Sequence, residues 1–131
     1  DVKATPEGLL ISLTDDPAYG MFAIASAEPH PQLVLVMDQL GRILLRRSER
    51  IVIRGHTDSR TFRTTVYDNW RLSTARAQMA LYMLLRSGVQ KDRIARIEGH
   101  ADSLPRNASD LYAAENRRIE ILLQSPPVPA P

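Results

Sequence analysis

Residues Gly55–Ala77 read GHTDSRTFRTTVYDNWRLSTARA, and this stretch joins a strand to a helix. Just before it, Arg50–Arg54 (RIVIR) alternates, with Ile51 and Ile53 on one face, as expected of a central strand. From Asp68 or Asn69 to Ser87 the pattern predicts a helix with Trp70, Ala77, Leu81 and Leu84 along its inner face. Gly88 is placed to end it in a left-handed cap. Asn69, Ser73 and Arg76 recur at i, i+4 and i+7, so they share one side near the amino-terminal turns, whose free N–H groups attract carboxylates. Asp58, at the mouth of the strand, could accept an ammonium while Arg76 grips a carboxylate through two parallel hydrogen bonds. That arrangement suits an amino-acid head group. A plain ion pair between Asp58 and Arg76 satisfies the same pattern.

Working outward, Asp1–Gly8 reads as a linker, and Leu9–Leu13 as a short strand bounded by Asp15, Asp16 and Pro17. Leu33, Val36, Leu40 and Leu44 recur at helical spacing, with Pro29 and Pro31 suited to the entry. Arg93–Glu98 is expected to be another strand. Arg117–Leu123 puts Ile119, Ile121 and Leu123 on one face and must join the same sheet, because no other apolar partner remains. The fold class is therefore α/β, in the order β-α-β-α-β-β: a two-layer sandwich with helices packed on a mixed sheet over residues 9–124. Residues 125–131, with Pro126, Pro127 and Pro129, read as an extended, disordered tail.

Composition narrows the function. The 131 residues suit one core, and the absence of cysteine excludes thiolate metal sites and cysteine nucleophiles. Net charge is only +2, yet all but Lys3 and Lys91 of the 17 basic residues are arginines, whose planar forks fit carboxylates and phosphates. Nucleic acid is not the expected anion: acidic residues are interspersed with basic ones, and one tryptophan, four tyrosines and two phenylalanines are few for stacking bases. Arg46, Arg47 and Arg50 read as a solvated helix end. Leu33–Leu45 is broken by Asp38, Gln39 and Arg42 and is too short and polar to span a bilayer. A chain starting at Asp1 rather than Met is expected to be a processed product or a fragment.

The same residues admit other chemistries. RIVIRGHTD and RIARIEGHAD both run from a strand into GHxD, so His56, Asp58, His100 and Asp102 make a conceivable transition-metal set. No general base or activated nucleophile accompanies them, and Asp58 cannot easily serve both a metal and an ammonium, so no metal or cofactor is expected. Ser73 lacks a nucleophile-elbow signature, and capping of the helix by Ser73 or Asp68 explains it better. Trp70 reads as packing rather than as a protein-contact residue.

The order GHTD, an insert ending in an aromatic residue, NW-x-LS-x-x-RA and finally NRRIEI resembles the peptidoglycan-binding domain shared by OmpA, Pal and MotB proteins, over Leu9–Leu123. Trp70 after Asn69, the long insert between Asp58 and Asn69 and the bare NRR are similar to the MotB variant. The resemblance implies non-covalent peptidoglycan binding without catalysis, with Asp58 and Arg76 holding the diaminopimelate of the stem peptide. By the same match Thr57 and Asn69 line the pocket and Arg117 reaches the ligand carboxylates. It further implies a homodimeric flagellar stator subunit, this piece being periplasmic, with a single inner-membrane helix upstream that meets a MotA-like partner. An OmpA- or Pal-like envelope tether is the alternative within the family. Two departures stand out: Ala23, Ile24 and Ala25 follow Phe22 where relatives often carry a polar or acidic residue, and GHAD replaces a glycine-tyrosine-glycine turn, although Pro105 and Asn107 keep the family's spacing.

Overall fold

The alternation in the last apolar segment sets the inner face of a sheet. In a computed structural model, which describes residues 1–60 and 68–126, Ile119, Ile121 and Leu123 of strand Arg118–Gln124 are all buried in the main core. In chain order the elements are β1 (Val2–Thr5), β2 (Gly8–Thr14), α1 (Pro31–Leu44), β3 (Ile51–His56), α2 (Asn69–Arg86), β4 (Ile94–Gly99) and β5 (Arg118–Gln124). The sheet order is β1-β2-β5-β3-β4, parallel between β3 and β4 and antiparallel elsewhere. It is thus a mixed five-stranded sheet carrying two helices, as the α/β reading expects, with one strand more. Residues 61–67 of the insert and the tail from 127 lie outside the described residues.

The additional strand corrects the reading of Asp1–Gly8 as linker. Val2–Thr5 pairs with Gly8–Ile11 across a tight turn at Pro6 and Glu7, where Thr5 Oγ1 donates to the Gly8 carbonyl (2.8 Å). Four residues with a single large apolar side chain leave no periodic signal. Two helix faces also differ from expectation. In α1 the buried positions are Leu33, Met37, Gly41 and Leu44, and Val36 points outward, because Gly41 lets Ser87 approach where a side chain would stand. In α2 the inner face is Leu72, Ala77, Ala80, Met83 and Leu84, and Trp70 is 59% exposed.

What positions the site is the seating of α2 on the sheet. Asp68 caps the helix by accepting the Arg71 N–H (2.7 Å), and Gly88 ends it at φ +111, a conformation that suits glycine. A Cβ on Gly55 would lie 2.1 Å from the Ser73 carbonyl oxygen, and one on Gly99 would lie 2.1 Å from Thr74 Oγ1. Backbone therefore meets backbone where α2 crosses β3, while at β4 the Thr74 and Ser73 hydroxyls sit against Gly99. Ser73 Oγ closes the joint, accepting the Ala101 N–H and donating to the Trp70 carbonyl, both at 3.0 Å. Among the described residues no helix is long and apolar enough to cross a membrane.

Candidate functional site

Four of the five site residues expected from the sequence meet at one end of the sheet. Asp58, only 2% exposed, follows β3, and Arg117 directly precedes β5, its antiparallel neighbour. Arg117 Nη1 donates to Asp58 Oδ2 (2.5 Å) and its Nε donates to Asp15 Oδ2 (2.8 Å), so one guanidinium spans two buried carboxylates. Asp15 is held in turn by the Met21 N–H, 2.8 Å from Oδ1. These paired carboxylates hold the Arg117 guanidinium above its usual range even though burial opposes it. Asp58 also accepts from Arg60, through its N–H (3.0 Å) and its Nε (2.9 Å).

Arg76 forms the opposite wall. It is 7% exposed, and its contacts are neutral: Nε donates to the Ser26 carbonyl (2.8 Å), Nη2 to the Ala23 carbonyl (3.3 Å), and the guanidinium lies 5.0 Å from the Phe22 ring centroid. Burial pulls its pKa down to about 10, which still leaves it charged at neutral pH. Among the described residues no carboxylate pairs with it, so the plain Asp58–Arg76 ion pair is not formed. Both instead line a cavity of about 270 Å³, just under the usual range of ligand pockets, about 300–1,000 Å³. The loop in which Ala23, Ile24 and Ala25 replace a polar residue contributes main chain instead, with Ala25 at φ 54 between the two carbonyls that hold Arg76.

Thr57 lines the cavity, its N–H bonded to the Ala101 carbonyl (2.8 Å). Asn69 does not line it; its Nδ2 donates to the Arg60 carbonyl (3.0 Å) and braces the turn that carries Asp58. Asp15, Tyr19 and Arg60 also line the cavity, and no motif marks them in the sequence. Burial, with Asp15 and Asp16 nearby, pushes the Tyr19 phenol up and keeps its O–H a donor. Asp15 was visible only as a strand boundary, and nothing in one sequence joins it to Arg117.

The two GHxD turns do lie side by side, but as a stack: the His56 and His100 rings are 4.9 Å apart and 9° from parallel. His56 Nε2 bonds Glu120 (2.9 Å) and His100 Nε2 bonds Glu98 (2.7 Å), while Asp58 faces the cavity. Among the described residues no three histidine, aspartate or glutamate side chains are grouped to hold a metal ion.

A two-layer sandwich with a charged cavity beside the first turns of α2 agrees with the sequence comparison: the chain belongs to the OmpA family, matched over residues 21–118. Two relatives carry motility-related names. The first is LafU of Escherichia coli O44:H18, a protein named for flagellar export/assembly, 31% identical over 123 residues. The second is Motility protein B of Escherichia coli K12, 29% identical over 124 residues. The alignments cover 94% and 93% of this chain but 40% of each relative, so the chain spans well under half their length. Among solved structures, the periplasmic domain of Helicobacter pylori MotB aligns at a TM-score of 0.79 and 19% identity, covering 92% of this chain and 85% of that one, a likeness of fold. The cell wall anchor of the T6SS from Pseudomonas aeruginosa gives a TM-score of 0.79 at 28% identity, covering 95% and 87%.

Proposed function

We propose that the cavity binds peptidoglycan non-covalently through the free end of its diaminopimelate, and that the domain anchors a larger assembly to the cell wall without catalysing a reaction. The observation that carries this reading is Arg76: a buried, charged guanidinium with no carboxylate partner among the described residues, facing a cavity whose far wall holds Asp58. A ligand carboxylate completes Arg76, and a ligand ammonium is received by Asp58. Thr57 and Arg117 shape the pocket, and Asn69 holds the turn that presents Asp58.

LafU and Motility protein B support a MotB-like stator subunit as the larger protein: periplasmic here, homodimeric, and joined to a MotA-like partner through a single membrane helix in the remainder of that protein. Wall binding then supplies the fixed point against which a motor turns. Two copies hold better than one, since the second contact becomes intramolecular. The T6SS cell wall anchor, more similar in sequence than the Helicobacter MotB domain at 28% against 19%, favours a second reading as an envelope tether of another assembly.

Co-sedimentation with purified sacculi tests the binding. The wild-type domain is expected in the pellet, with Arg76→Lys and Asp58→Asn both folded and at least tenfold weaker, since breaking one partner of a buried charged hydrogen bond costs about 2–5 kcal/mol. Folded variants that sediment like wild type would remove the assignment. Deleting the domain from the intact gene separates the two larger readings: a stator defect leaves flagella assembled but paralysed, whereas a tether defect leaves swimming intact.

A further inference from the structure

We propose that Arg60 is a built-in competitor for the ligand ammonium, docked on Asp58 and displaced when a zwitterion enters; this rests on the peptidoglycan reading above. Asp58 Oδ2 takes two guanidinium hydrogen bonds of unequal standing. Arg117 is locked between Asp58 and Asp15, with its side chain 19% exposed. Arg60 is 43% exposed, and Asp58 is the only acceptor its guanidinium reaches among the described residues. Only the Arg60 end of this pair is open to solvent, so its side chain can leave into water while Asp58 stays buried and keeps Arg117.

The consequence is a choice of ligand charge. With Arg60 docked, three guanidiniums (Arg60, Arg76 and Arg117) face the buried carboxylates Asp15 and Asp58, with Asp16 at the solvent rim. Arg76 is then the unmatched charge, and the cavity favours a simple carboxylate. With Arg60 swung into water, Asp58 Oδ2 recovers a free acceptor direction while Arg117 stays in place. The cavity now offers one cation and one anion to a ligand that carries both. The Arg60 N–H on Asp58 Oδ1 survives any change of side chain, so the turn keeps its shape.

The test is calorimetric titration with meso-diaminopimelate and with pimelate, the same carbon chain without amines. Arg60→Gln is expected to bind diaminopimelate about fivefold more tightly than wild type, with pimelate no tighter, and Arg60→Lys, which restores a mobile cation, to lie close to wild type. Diaminopimelate binding unchanged or weakened in Arg60→Gln, or equal tightening of both ligands, overturns the role of Arg60 and leaves the wall-binding reading standing. If neither wild type nor Arg60→Gln binds diaminopimelate while both melt normally, the reading of the site and the proposal resting on it fall together.

Discussion

His56 and His100 stack ring on ring across the parallel pair β3 and β4, 4.9 Å apart, and each is tied by Nε2 to a glutamate on the face of the sheet away from the helices. His56 Nδ1 is buried without a hydrogen-bond partner among the described residues, so protonating it would create a buried N–H with no acceptor. Burial accordingly lowers the His56 pKa, more than the hydrogen bond to Glu120 raises it.

The sign of the resulting pH dependence follows from the unfolded chain. There His56 titrates near 6.5 and takes up a proton that the folded state refuses, so its contribution is complete above pH 6.5 and is lost as pH falls through the lower folded value. Glu120 adds a second loss: burial would raise it, but hydrogen bonds and charge from His56 and Arg118 hold it at about 2 against an ordinary 4.5. Its contribution, on the order of 2 kcal/mol, is present above pH 4.5 and disappears as pH falls through about 2. Urea denaturation from pH 8 to 3 should show both losses, and His56→Gln should remove the first and, because His56 also holds Glu120 down, shrink the second. A wild-type midpoint that stays level between pH 7 and 5 contradicts the assignment.

Gly55→Ala should be among the most damaging single-methyl changes in the chain. Its new Cβ meets the Ser73 carbonyl at 2.1 Å, main chain that cannot rotate away, so α2 must shift. A cost of about 3 kcal/mol, the upper end for overpacking, is expected in the denaturation midpoint, together with weaker binding to sacculi.

Asp15→Asn should weaken sacculus binding even though Asp15 belongs to none of the motifs. Without its charge Arg117 loses one of two carboxylate partners, and a hydrogen bond to a charged group is worth about 1.5–3 kcal/mol. Pull-down titration should give roughly tenfold weaker binding; an unchanged affinity would mean that Arg117 needs only Asp58.

Trp70→Ala should change stability by no more than about 0.5 kcal/mol, because the ring is 59% exposed. A loss of 2 kcal/mol or more on thermal melting would restore the packed position inferred from its helical spacing.

That misplacement shows where one sequence is legible. Ile119, Ile121 and Leu123 recur at every second position, and the strand they predict is present with the correct inner face. Asp58, Thr57, Arg76 and Arg117 could be read because a motif carries them. Trp70 shares its helical stripe with Ala77, yet in the first turn of α2 it stands in solvent, a matter of tertiary placement that periodicity does not encode. Val36 and Met37 are neighbours of similar hydrophobicity, and only the approach of Ser87 to Gly41 decides which turns inward. Asp15 bears on the site only through space, 102 positions from Arg117, whereas Arg60 sits two residues after Asp58 but carries no motif of its own.

The bare crossing of α2 over β3 and β4 has a bearing on how the domain tolerates change. Gly55 lets main chain rest on main chain, and Gly99 leaves room for the Thr74 and Ser73 hydroxyls, so the offset between Asp58 and Arg76 is set by close contacts that admit no added side chain. Damage elsewhere, such as trimming the buried Val52 or Leu122 on the sheet's other face, is expected to lower the fraction of molecules that fold without moving Asp58 against Arg76. Robustness and affinity are separate quantities here, free to drift independently over generations, except at two positions where no side chain is admitted.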